Sequence, residues 1–381
     1  MPAGAPESFQ HNLRRFPMPI SVISETQNES SKPASYLSRV RPALADAHLR
    51  KERVLVTGGS GFIGTNIIEY YQTWNAGALV NFDIVPPRNS EQTNLWCKVN
   101  ICDASNLTAA IKQFNPTVVF HMAARADLVG ERVADYPENT DGIRNLIAAL
   151  RLLPHRPRLL VASSRMVCDI RYRPQSANDY AASNAYGESK VQTELITRQE
   201  AGNAIPWILV RPTGIWGPWF DIPYRNFFNV IRRGIYLHPR GQQTLKSYGF
   251  VGNTVYQLDR LMYDAFEQAA GQTLYLCDPP IDVLDWARKI ATDLGSHPIR
   301  EAPYWLLYLG AKAGDMLQAL GMKHPPLTSF RLDNLTTDMA IDYMTVDHYV
   351  SIGPYSLADA TAITCDWLAG AHGALKARSS Q

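Results

Sequence analysis

The sequence predicts an α/β protein built around a doubly wound parallel sheet, with a smaller, mainly C-terminal α/β domain beside it. From Arg53 onward, short apolar or β-branched segments alternate with amphipathic helical segments, the pattern of a parallel sheet covered by helices on both faces. A glycine-rich turn, GGSGFIG (58–64), joins the first strand to the first helix. Hydrophobic residues make up 46% of the 381 residues and charged residues 19%, which indicates a packed globular chain.

Five segments are predicted to form strands of this sheet. They are RVLVT (53–57), ALVNFD (78–83), WCKVN (96–100), TVVFH (117–121) and RLLVAS (158–163), and helices are predicted near 105–114 and 138–152. In a doubly wound sheet, ligands bind beyond the carboxyl ends of the strands. The stretch ASSRMVCD (162–169) follows the fifth strand, so its hydroxyls are expected at the ligand-binding edge.

Charge and cysteine content exclude several other classes of protein. The formal net charge of +2 gives no argument for a nucleic-acid partner. The five cysteines are odd in number and lack CxxC spacing, so we expect reduced thiols in a cytoplasmic protein, with no disulfide framework and no metal site. No uncharged run of 18 apolar residues occurs, so no transmembrane segment is expected.

The most apolar late segment is YWLLYLGAKAGDMLQALG (304–321), which Lys312 and Asp315 interrupt. We predict an amphipathic helix here that packs on the body of the protein or lines a substrate pocket. A helix lying on a membrane surface is the alternative.

Residues 1–50 differ in composition from the rest of the chain. They hold several prolines, many serines and no sustained periodicity, so we predict a flexible N-terminal extension or a docking arm. The segment lacks the apolar core of a secretory signal, and its acidic residues Glu7, Glu25 and Glu29 give little support to a transit peptide.

The glycine turn is predicted to bind the pyrophosphate of a dinucleotide. Gly58, Gly61 and Gly64 lie between a strand and a helix start, where backbone N–H groups and the helix dipole attract an anion. Phe62 and Ile63 begin that helix and belong to the same predicted site. No Gly-Lys-Ser/Thr ends the motif, so it is not a P-loop.

The second strand ends at Asp83, nineteen residues beyond Gly64. A carboxylate at this position accepts hydrogen bonds from the adenosine ribose hydroxyls and repels a 2′-phosphate, which favours NAD over NADP. Arg88 lies close by in sequence and softens that preference. The alternative for Asp83 is an ordinary turn residue at a strand end.

Tyr186 and Lys190 are four residues apart in AYGESK, on one face of a predicted helix. A phenol with an ordinary pKa near 10 is a poor base, but an ammonium beside it and a positively charged nicotinamide ring would lower that pKa. A serine hydroxyl close to the phenol would orient the substrate oxygen and stabilise its charge. The three groups together predict proton transfer coupled to hydride transfer.

With these features the chain resembles the extended short-chain dehydrogenase/reductase family, in its NAD-dependent epimerase/dehydratase group, over roughly residues 52–370. The resemblance rests on TGGSGFIG (57–64), Asp83, NICD (100–103), HMAA (121–124), ENTDGIRNL (138–146), ASS (162–164), YGESK (186–190), RPTGIWGP (211–218) and YGFVGN (248–253). It implies a Rossmann domain at 51–215 with a return segment near 248–278. It further implies a substrate-binding domain at 216–247 and 279–381, and usually a homodimer through two helices.

The resemblance also assigns individual residues. The hydroxyl of the catalytic set matches Ser164 rather than Ser163, and acts with Tyr186 and Lys190. The additional cofactor contacts that it implies are Asn100, Ile101, Ala123, Ala124, Asn139 and Thr213.

The residues after the catalytic hydroxyl narrow the reaction. The sugar-nucleotide dehydratases of the family that this chain resembles carry Thr-Asp-Glu at this point. They need the acidic pair because expelling water across adjacent carbons requires an acid and a base. Here the corresponding positions are Arg165 and Met166, and neither exchanges a proton at neutral pH. A dehydratase is therefore not expected, and hydride chemistry at a carbinol carbon remains.

The substrate side is less defined by the sequence. In the nucleotide-sugar epimerases that this chain resembles, an asparagine after the corresponding strand contacts the substrate. The residue at that position here is Gly214. Lys246 and Tyr248 resemble the diphosphate site of that group. The predicted substrate contacts are Arg125, Arg165, Asn226, Lys246, Tyr248 and Arg331.

Three functions remain open from the sequence. The first is an NAD-dependent epimerase or oxidoreductase of a nucleotide-diphosphate sugar, in surface-polysaccharide synthesis. The second is a net dehydrogenase or reductase of a steroid-like or other apolar alcohol, since RPTGIWGP and PPLTSFRLDNL also resemble 3β-hydroxysteroid dehydrogenases and dihydroflavonol-type reductases. The third is a catalytically silent NAD-binding scaffold, which the intact Ser164, Tyr186 and Lys190 set disfavours.

Overall fold

A computed structural model of the chain describes residues 35–39, 41–43, 48, 51–74, 77–221, 223–322, 325 and 327–379, with side chains described as far as residue 370. The residues of the predicted N-terminal extension at 1–34, 40, 44–47 and 49–50 lie outside the described residues.

The central element is a seven-stranded sheet in which all neighbouring strands are parallel. Its strands are β1 (Arg53–Thr57), β2 (Ala78–Asp83), β3 (Trp96–Lys98), β4 (Val118–His121), β5 (Arg158–Ala162), β6 (Trp207–Pro212) and β11 (Thr273–Leu276). Their order across the sheet is β11-β6-β5-β4-β1-β2-β3, which places a change of direction next to β1. The predicted doubly wound α/β fold is confirmed.

Helices cover both faces of this sheet because residues alternate between the faces along each strand. Val54 and Val56 of β1 belong to one buried cluster, and Leu55 between them belongs to the other. The first cluster is covered by α1 (Phe62–Thr73) and α6 (Val251–Tyr263), and the second by α2 (Ala104–Phe114), α3 (Pro137–Leu150) and α4 (Ala185–Ile196).

The remaining elements form the smaller region beside the sheet. Three two-stranded ladders are built from β7 (Gly214–Trp216), β8 (Leu237–Pro239), β9 (Leu245–Lys246), β10 (Tyr248–Phe250), β12 (Ile281–Asp282) and β13 (Arg300–Ala302). The helices are α5 (Tyr224–Arg232), α7 (Phe266–Ala269), α8 (Val283–Asp293), α9 (Tyr304–Ala319), α10 (Ser329–Thr336) and α11 (Leu357–Ser379). After β10 and α6, the chain returns to the central sheet as β11.

One aromatic cluster connects the two regions. Trp216 contacts both Phe250 and Trp286, with ring centroids 5.4 and 4.8 Å apart, and all three belong to the larger buried cluster. The predicted domain boundaries stay a prediction, since the hydrophobic core runs across them without a break.

The described part of the predicted N-terminal extension packs against the body of the protein. Leu37 is fully buried in the larger cluster. The Tyr36 hydroxyl donates to Asn66 on α1, at 2.6 Å, and the Ala43 amide donates to Asp259 on α6, at 2.7 Å. We call residues 35–39 and 41–43 the docking arm because they pack on the body of the chain, and the prediction for residues 1–50 as a whole stays a prediction.

Among the residues that the structure describes, no helix has the length and hydropathy that crossing a membrane requires.

Candidate active site

The glycine turn after β1 forms a cradle that only glycine fits. Gly58 has φ +72°, and a Cβ there would lie 2.5 Å from the Ala123 backbone nitrogen. No side chain caps the start of α1 at Gly61, and the first turn of that helix carries no acidic residue. The backbone N–H groups at this helix start therefore remain available to the pyrophosphate of a dinucleotide, and the residues fit that group.

Asp83 lies at the carboxyl end of β2, beside the cradle. Its carboxylate accepts hydrogen bonds from the Ser60 amide at 3.0 Å and the Val85 amide at 3.1 Å, which leaves lone pairs on both oxygens for ribose hydroxyls. Burial raises the pKa of Asp83, and the backbone amides and Arg88 oppose this shift. The Arg88 guanidinium donates to Ser60 O and Trp219 O, so it is held next to the same end of the site.

The other predicted cofactor residues lie along the same edge of the sheet. Ala123 contacts Gly58 directly. Asn100 accepts from the Cys102 amide and is exposed, whereas Ile101 is buried. The Thr213 amide donates to Leu276 O, which fixes the half-buried Thr213 at the end of β6.

Asn139 on α3 holds other parts of the site in place. Its amide nitrogen donates to Arg125 O and to Ser189 Oγ, and its amide oxygen accepts from the Arg125 N–H. These bonds use both amide hydrogens and hold the loop after β4 in position, and the predicted cofactor contact of Asn139 stays a prediction.

Ser164 and Tyr186 meet at the carboxyl end of β5. The Ser164 Oγ accepts from the Met166 amide at 3.1 Å, which directs its own hydrogen away from that amide. Burial raises the pKa of Tyr186, hydrogen bonding with Ser164 lowers it, and Tyr136 raises it. The Tyr136 ring lies 6.0 Å from the Tyr186 ring. The group that lowers the phenol pKa in this structure is the Ser164 hydroxyl, which was expected to act on the substrate oxygen, whereas the Lys190 ammonium was expected to lower it.

Lys190 lies one turn further along α4 and reaches back to the sheet. Its ammonium donates to Ala162 O at 2.9 Å, which uses one of its three donors. Burial lowers the pKa of Lys190 to about 8, and Glu194 opposes this shift. Burial and the charge of Lys190 lower the pKa of His121 to about 3, so this histidine stays neutral, with Nδ1 2.7 Å from Thr57 Oγ1.

Behind the catalytic edge lies a buried ion-pair network. The Glu194 carboxylate pairs with Arg211 at 2.8 Å, and both side chains are fully buried. Ser163 Oγ donates to the same carboxylate at 2.6 Å, so Ser163 ties β5 to α4. The adjacent serines therefore face different environments: Ser163 faces this network, and Ser164 faces Tyr186.

The predicted substrate side brings together two cations and two tyrosines. Burial and the charge of Arg165 lower the pKa of Lys246 to about 8, although Asp338 and Asp333 oppose this shift. Burial raises the pKa of Tyr224 to about 12, and Arg165 opposes this shift. The rings of Tyr224 and Tyr248 are 5.2 Å apart. Arg165 thus acts electrostatically on groups from β9, β10 and α5, and it follows Ser164 directly in the chain.

A cavity of about 230 Å³ adjoins this cluster. Arg165, Arg171 and Arg173 line it, together with Tyr172 and Tyr343. Arg173 lies over the Tyr343 ring at 4.7 Å, and Arg171 pairs with Asp333 on α10. Arg173 also pairs with Asp342, and the lining includes Asp169 and Asp338, so Arg165 is the arginine of this lining that has no ion pair with a described residue.

Three residues predicted to bind substrate have other positions or partners. Arg125 pairs with Asp127 at 2.8 Å and lies over the Tyr136 ring at 5.0 Å, so it orders the loop after β4. Arg331 on α10 donates to Pro325 O and holds the connection from α9. Asn226 is half-buried in the first turn of α5. Their predicted substrate contacts stay predictions.

Sequence reasoning missed Tyr224, Tyr136 and Glu194. Glu194 follows Lys190 by four residues, and that spacing is a signal that was available. Tyr136 and Tyr224 carry no motif, and only the fold brings them to Tyr186 and to Gly214.

Comparison with known proteins agrees with this geometry. Residues 54–245 match the model of the NAD dependent epimerase/dehydratase family. The chain is 25% identical to the N-acetyl-alpha-D-glucosaminyl-diphospho-ditrans,octacis-undecaprenol 4-epimerase of Escherichia coli O157:H7, over 81% of this chain and 92% of that protein. It is 24% identical to 3beta-hydroxysteroid-dehydrogenase/decarboxylase isoform 1 of Arabidopsis thaliana, over 76% of this chain and 73% of that protein.

The fold is also that of solved epimerases. The crystal structure of the UDP-glucose 4-epimerase of Thermus thermophilus in complex with NAD superposes with a TM-score of 0.61, at 20% identity, over 84% of this chain and 99% of that one. The family match spans half of the chain and includes the glycine cradle, Ser164, Tyr186 and Lys190. The chain therefore belongs to the NAD dependent epimerase/dehydratase family and is an NAD-dependent enzyme.

Proposed function

We propose that this enzyme is an epimerase of a glycosyl diphosphate, meaning a sugar whose anomeric oxygen carries a diphosphate. The observation that carries the proposal is the pair of cations, Arg165 and Lys246, next to the Ser164–Tyr186 pair. Lys246 is 2% exposed and is influenced by Arg165 as well as by Asp338 and Asp333, and an anionic ligand would stabilise these buried cations further. A diphosphate held there would leave its sugar close to Tyr186.

The proposed chemistry assigns a separate task to each side chain. Tyr186, as phenolate, takes the proton from a sugar hydroxyl, and Ser164 donates a hydrogen bond to the oxygen that develops charge. NAD, which the glycine cradle and Asp83 would hold, would supply a reversible acceptor for the hydride of the carbinol carbon, so that this carbon can invert through a keto-sugar. Tyr186 then returns the proton, so the reaction is redox-neutral overall. Lys190 donates one hydrogen bond to Ala162 O, and its remaining hydrogens would hold the nicotinamide ribose.

The residues beyond Ser164 fit this redox-neutral reaction better than an elimination. Met166 packs against Tyr186 and Tyr136 in a small apolar cluster. Arg165 acts electrostatically on Tyr224 and Lys246, and a guanidinium donates hydrogen bonds but does not serve as a base. Neither residue supplies the acid and base that loss of water requires.

The comparisons support the substrate class. The Escherichia coli relative is named for a sugar on diphospho-undecaprenol, and other relatives are UDP-glucose 4-epimerases. A nucleotide sugar and a lipid-linked sugar share the glycosyl diphosphate unit, which is the part that Arg165 and Lys246 would contact. A role in surface-polysaccharide synthesis, a cytoplasmic location and a homodimer are parts of this proposal.

A net dehydrogenase of a sterol-like alcohol is the second candidate. The Arabidopsis thaliana relative and bacterial 3-beta-hydroxysteroid dehydrogenases favour it. Against it, the aromatic residues of α9 do not line an enclosed apolar pocket: Trp305 is 63% exposed and Tyr304 51%. An uncharged sterol also offers no partner to Arg165 and Lys246.

One assay separates the two candidates. The purified enzyme is incubated with NAD and either UDP-glucose or N-acetylglucosaminyl diphospho-undecaprenol, and the sugars are analysed by NMR. We expect a 4-epimer from at least one of them without net NADH. Lys246→Met should then lower kcat/KM by about 10- to 100-fold, as expected for loss of a charged contact. The matched control Lys112→Met, at an exposed lysine on α2, should have no effect.

Failure to isomerise either glycosyl diphosphate, combined with steady NADH formation from a 3β-hydroxysteroid, would overturn the proposal and favour the second candidate.

A further inference from the structure

The exposed hydrophobic residues of this chain are concentrated on α9 and α10. Of the 21 large hydrophobic residues that are exposed in the described structure, ten lie between residues 304 and 330. They are Tyr304, Trp305, Leu306, Tyr308, Leu309, Met316, Leu317, Leu320, Met322 and Phe330, and we call them the α9–α10 face. Single exposed hydrophobic residues are common, whereas a contiguous patch of this kind marks a surface that something covers.

The geometry of α9 accounts for the exposure. Leu307, Ala311 and Gly314 form the stripe that packs against the protein. Trp305, Leu309, Met316 and Leu320 are spaced 4, 7 and 4 residues apart, so at about 100° per residue they form a second stripe on the opposite side. A surface helix ordinarily carries charged residues on that side.

The charges of α9 do not offset this second stripe. The helix has two charged residues, Lys312 and Asp315, and they lie 3.9 Å from each other in an ion pair. Lys312 also lies over the Tyr308 ring at 5.4 Å, so its stem runs along the aromatic side chain. Sixteen residues interrupted by two charges suit a helix that lies along an interface.

Exposed cations stand beside the patch. Arg300 on β13 pairs in register with Leu237 on β8, which is itself exposed, and the Arg240 amide donates to Ala302 O just before α9. Arg240 and Arg300 are both exposed, and neither forms an ion pair with a residue that the structure describes. Apolar and aromatic residues next to unpaired arginines are complementary to the anionic headgroups and acyl chains of a bilayer.

The patch is also continuous with the proposed substrate site. Asp333 on α10 pairs with Arg171, which lines the cavity beside Arg165. Phe330, three residues before Asp333, belongs to the α9–α10 face. One short helix therefore connects the apolar surface to the cavity beside Arg165.

We propose that the α9–α10 face docks on the surface of an anionic lipid bilayer, from which the enzyme takes a glycosyl diphosphate carried on a lipid. The inference rests on the proposed function for its substrate, and docking itself is measurable without turnover. Trp305, Tyr304 and Tyr308 lie in the interface with their polar atoms toward water, and Leu309, Met316 and Leu320 enter the acyl region.

Vesicle flotation tests the docking directly. The full chain is mixed with phosphatidylglycerol–phosphatidylcholine vesicles and, separately, with phosphatidylcholine vesicles. We expect co-flotation with the anionic vesicles, a weaker signal with the neutral ones, and a loss of at least about tenfold in partitioning for the Trp305→Gln/Leu309→Gln double variant. The matched control is Leu152→Gln/Leu195→Gln, which alters two exposed leucines elsewhere and should float like the parent.

A second readout identifies the residue that enters the bilayer. Vesicles with brominated acyl chains should quench tryptophan fluorescence in the parent protein, and Trp305→Phe, which keeps an aromatic ring, should lose that quenching while it still floats. NAD binding and turnover of UDP-glucose, where present, should be unchanged in all these variants, which separates loss of docking from loss of the active site.

Two results would overturn the proposal. One is that the parent and the Trp305→Gln/Leu309→Gln variant both stay, to the same extent, in the fractions that do not float with the anionic vesicles. The other is a concentration-dependent dimer that dissociates in Trp305→Gln/Leu309→Gln, which would mean that a second copy of this chain covers the face.

Discussion

The Tyr224 hydroxyl fills the space beside Gly214 in which any side chain at that position would have to lie. Gly214 follows β6, where an asparagine was expected from the resemblance to nucleotide-sugar epimerases, and Tyr224 comes from the start of α5. The phenol belongs to the cluster around Arg165 and Tyr248. A polar group from another element therefore lies beside Gly214, the position at which the resembled epimerases have an asparagine and for which Asn226 was the expected replacement.

The first prediction concerns this pair. Gly214→Ala should destabilise the protein by about 1–3 kcal/mol, because the new methyl group overlaps the Tyr224 hydroxyl. In Gly214→Ala/Tyr224→Ala the loss should be smaller than the sum of the single losses, since the overlap is removed. Urea unfolding of the four proteins measures the coupling. Additive losses would mean that the two positions do not compete for the same space.

The second prediction concerns the hydroxyl next to Tyr186. Since burial raises the pKa of Tyr186 and Ser164 lowers it, Ser164→Ala should raise that pKa further. The rise of kcat/KM with pH should then move to higher pH, and kcat should fall by about 10²–10³-fold. Ser163→Ala is the matched control, because Ser163 faces Glu194. Its pH profile should keep the position of the parent profile, and a shift equal to that of Ser164→Ala would contradict the separate roles of the two serines.

The third prediction concerns cofactor choice. Asp83→Ser removes the carboxylate that the Ser60 and Val85 amides hold beside the cradle. We expect NADH affinity to fall by about tenfold or more and NADPH affinity to rise, because Arg88 then faces a 2′-phosphate without a competing carboxylate. Fluorescence titration with both cofactors measures this. Asp141→Ser, at an exposed acid on α3, should alter neither affinity.

The fourth prediction concerns the buried pair of Glu194 and Arg211. Burial raises the pKa of Glu194, but Arg211, Ser163 and Arg198 outweigh it, so the net pKa lies below the ordinary value of 4.5. The pair's stabilisation is thus fully present above pH 4.5 and is lost as pH falls through the lowered pKa. Glu194→Gln should cost about 3–5 kcal/mol at pH 7, since it leaves a buried guanidinium unpaired.

Unfolding curves at several pH values test this. The difference in stability between the parent and Glu194→Gln should shrink below pH 4.5. Glu188→Gln, at an exposed glutamate on the same helix, should have a stability close to that of the parent at every pH.

The Glu194→Gln variant should also have a lower Lys190 pKa than the parent, because Glu194 raises the pKa of that lysine. Cofactor binding in Glu194→Gln should therefore weaken at a lower pH than in the parent.

The elements of the sheet could be predicted because their signals are local. The run RVLVT became β1 at Arg53–Thr57, and the helix expected near 105–114 begins at Ala104, where Asp103 caps it by accepting from the Asn106 amide. The glycine cradle and the Tyr186–Lys190 spacing are local in the same sense, so sequence alone indicated the family and the cofactor.

The substrate side could not be predicted in the same way because it depends on distant residues. Arg165 acts on Lys246 from β9 and on Tyr224 from α5, and nothing in either segment indicates the other. The outer stripe of α9 resembles a core-facing stripe in the sequence, since periodicity does not reveal which stripe meets the protein. Only the packing of Leu307, Ala311 and Gly314 distinguishes the two.

The docking arm can complete its contacts only after residues far later in the chain have been synthesised. Ala43 bonds to Asp259, 216 residues later in the chain, and the Tyr36 carbonyl accepts from the hydroxyl of Tyr355, 319 residues later. During synthesis the arm therefore leaves the ribosome early but has no complete binding surface until the last helix is nearly made. Protection of the docking arm from protease would report that the whole chain, including α6 and the segment around Tyr355, has finished folding.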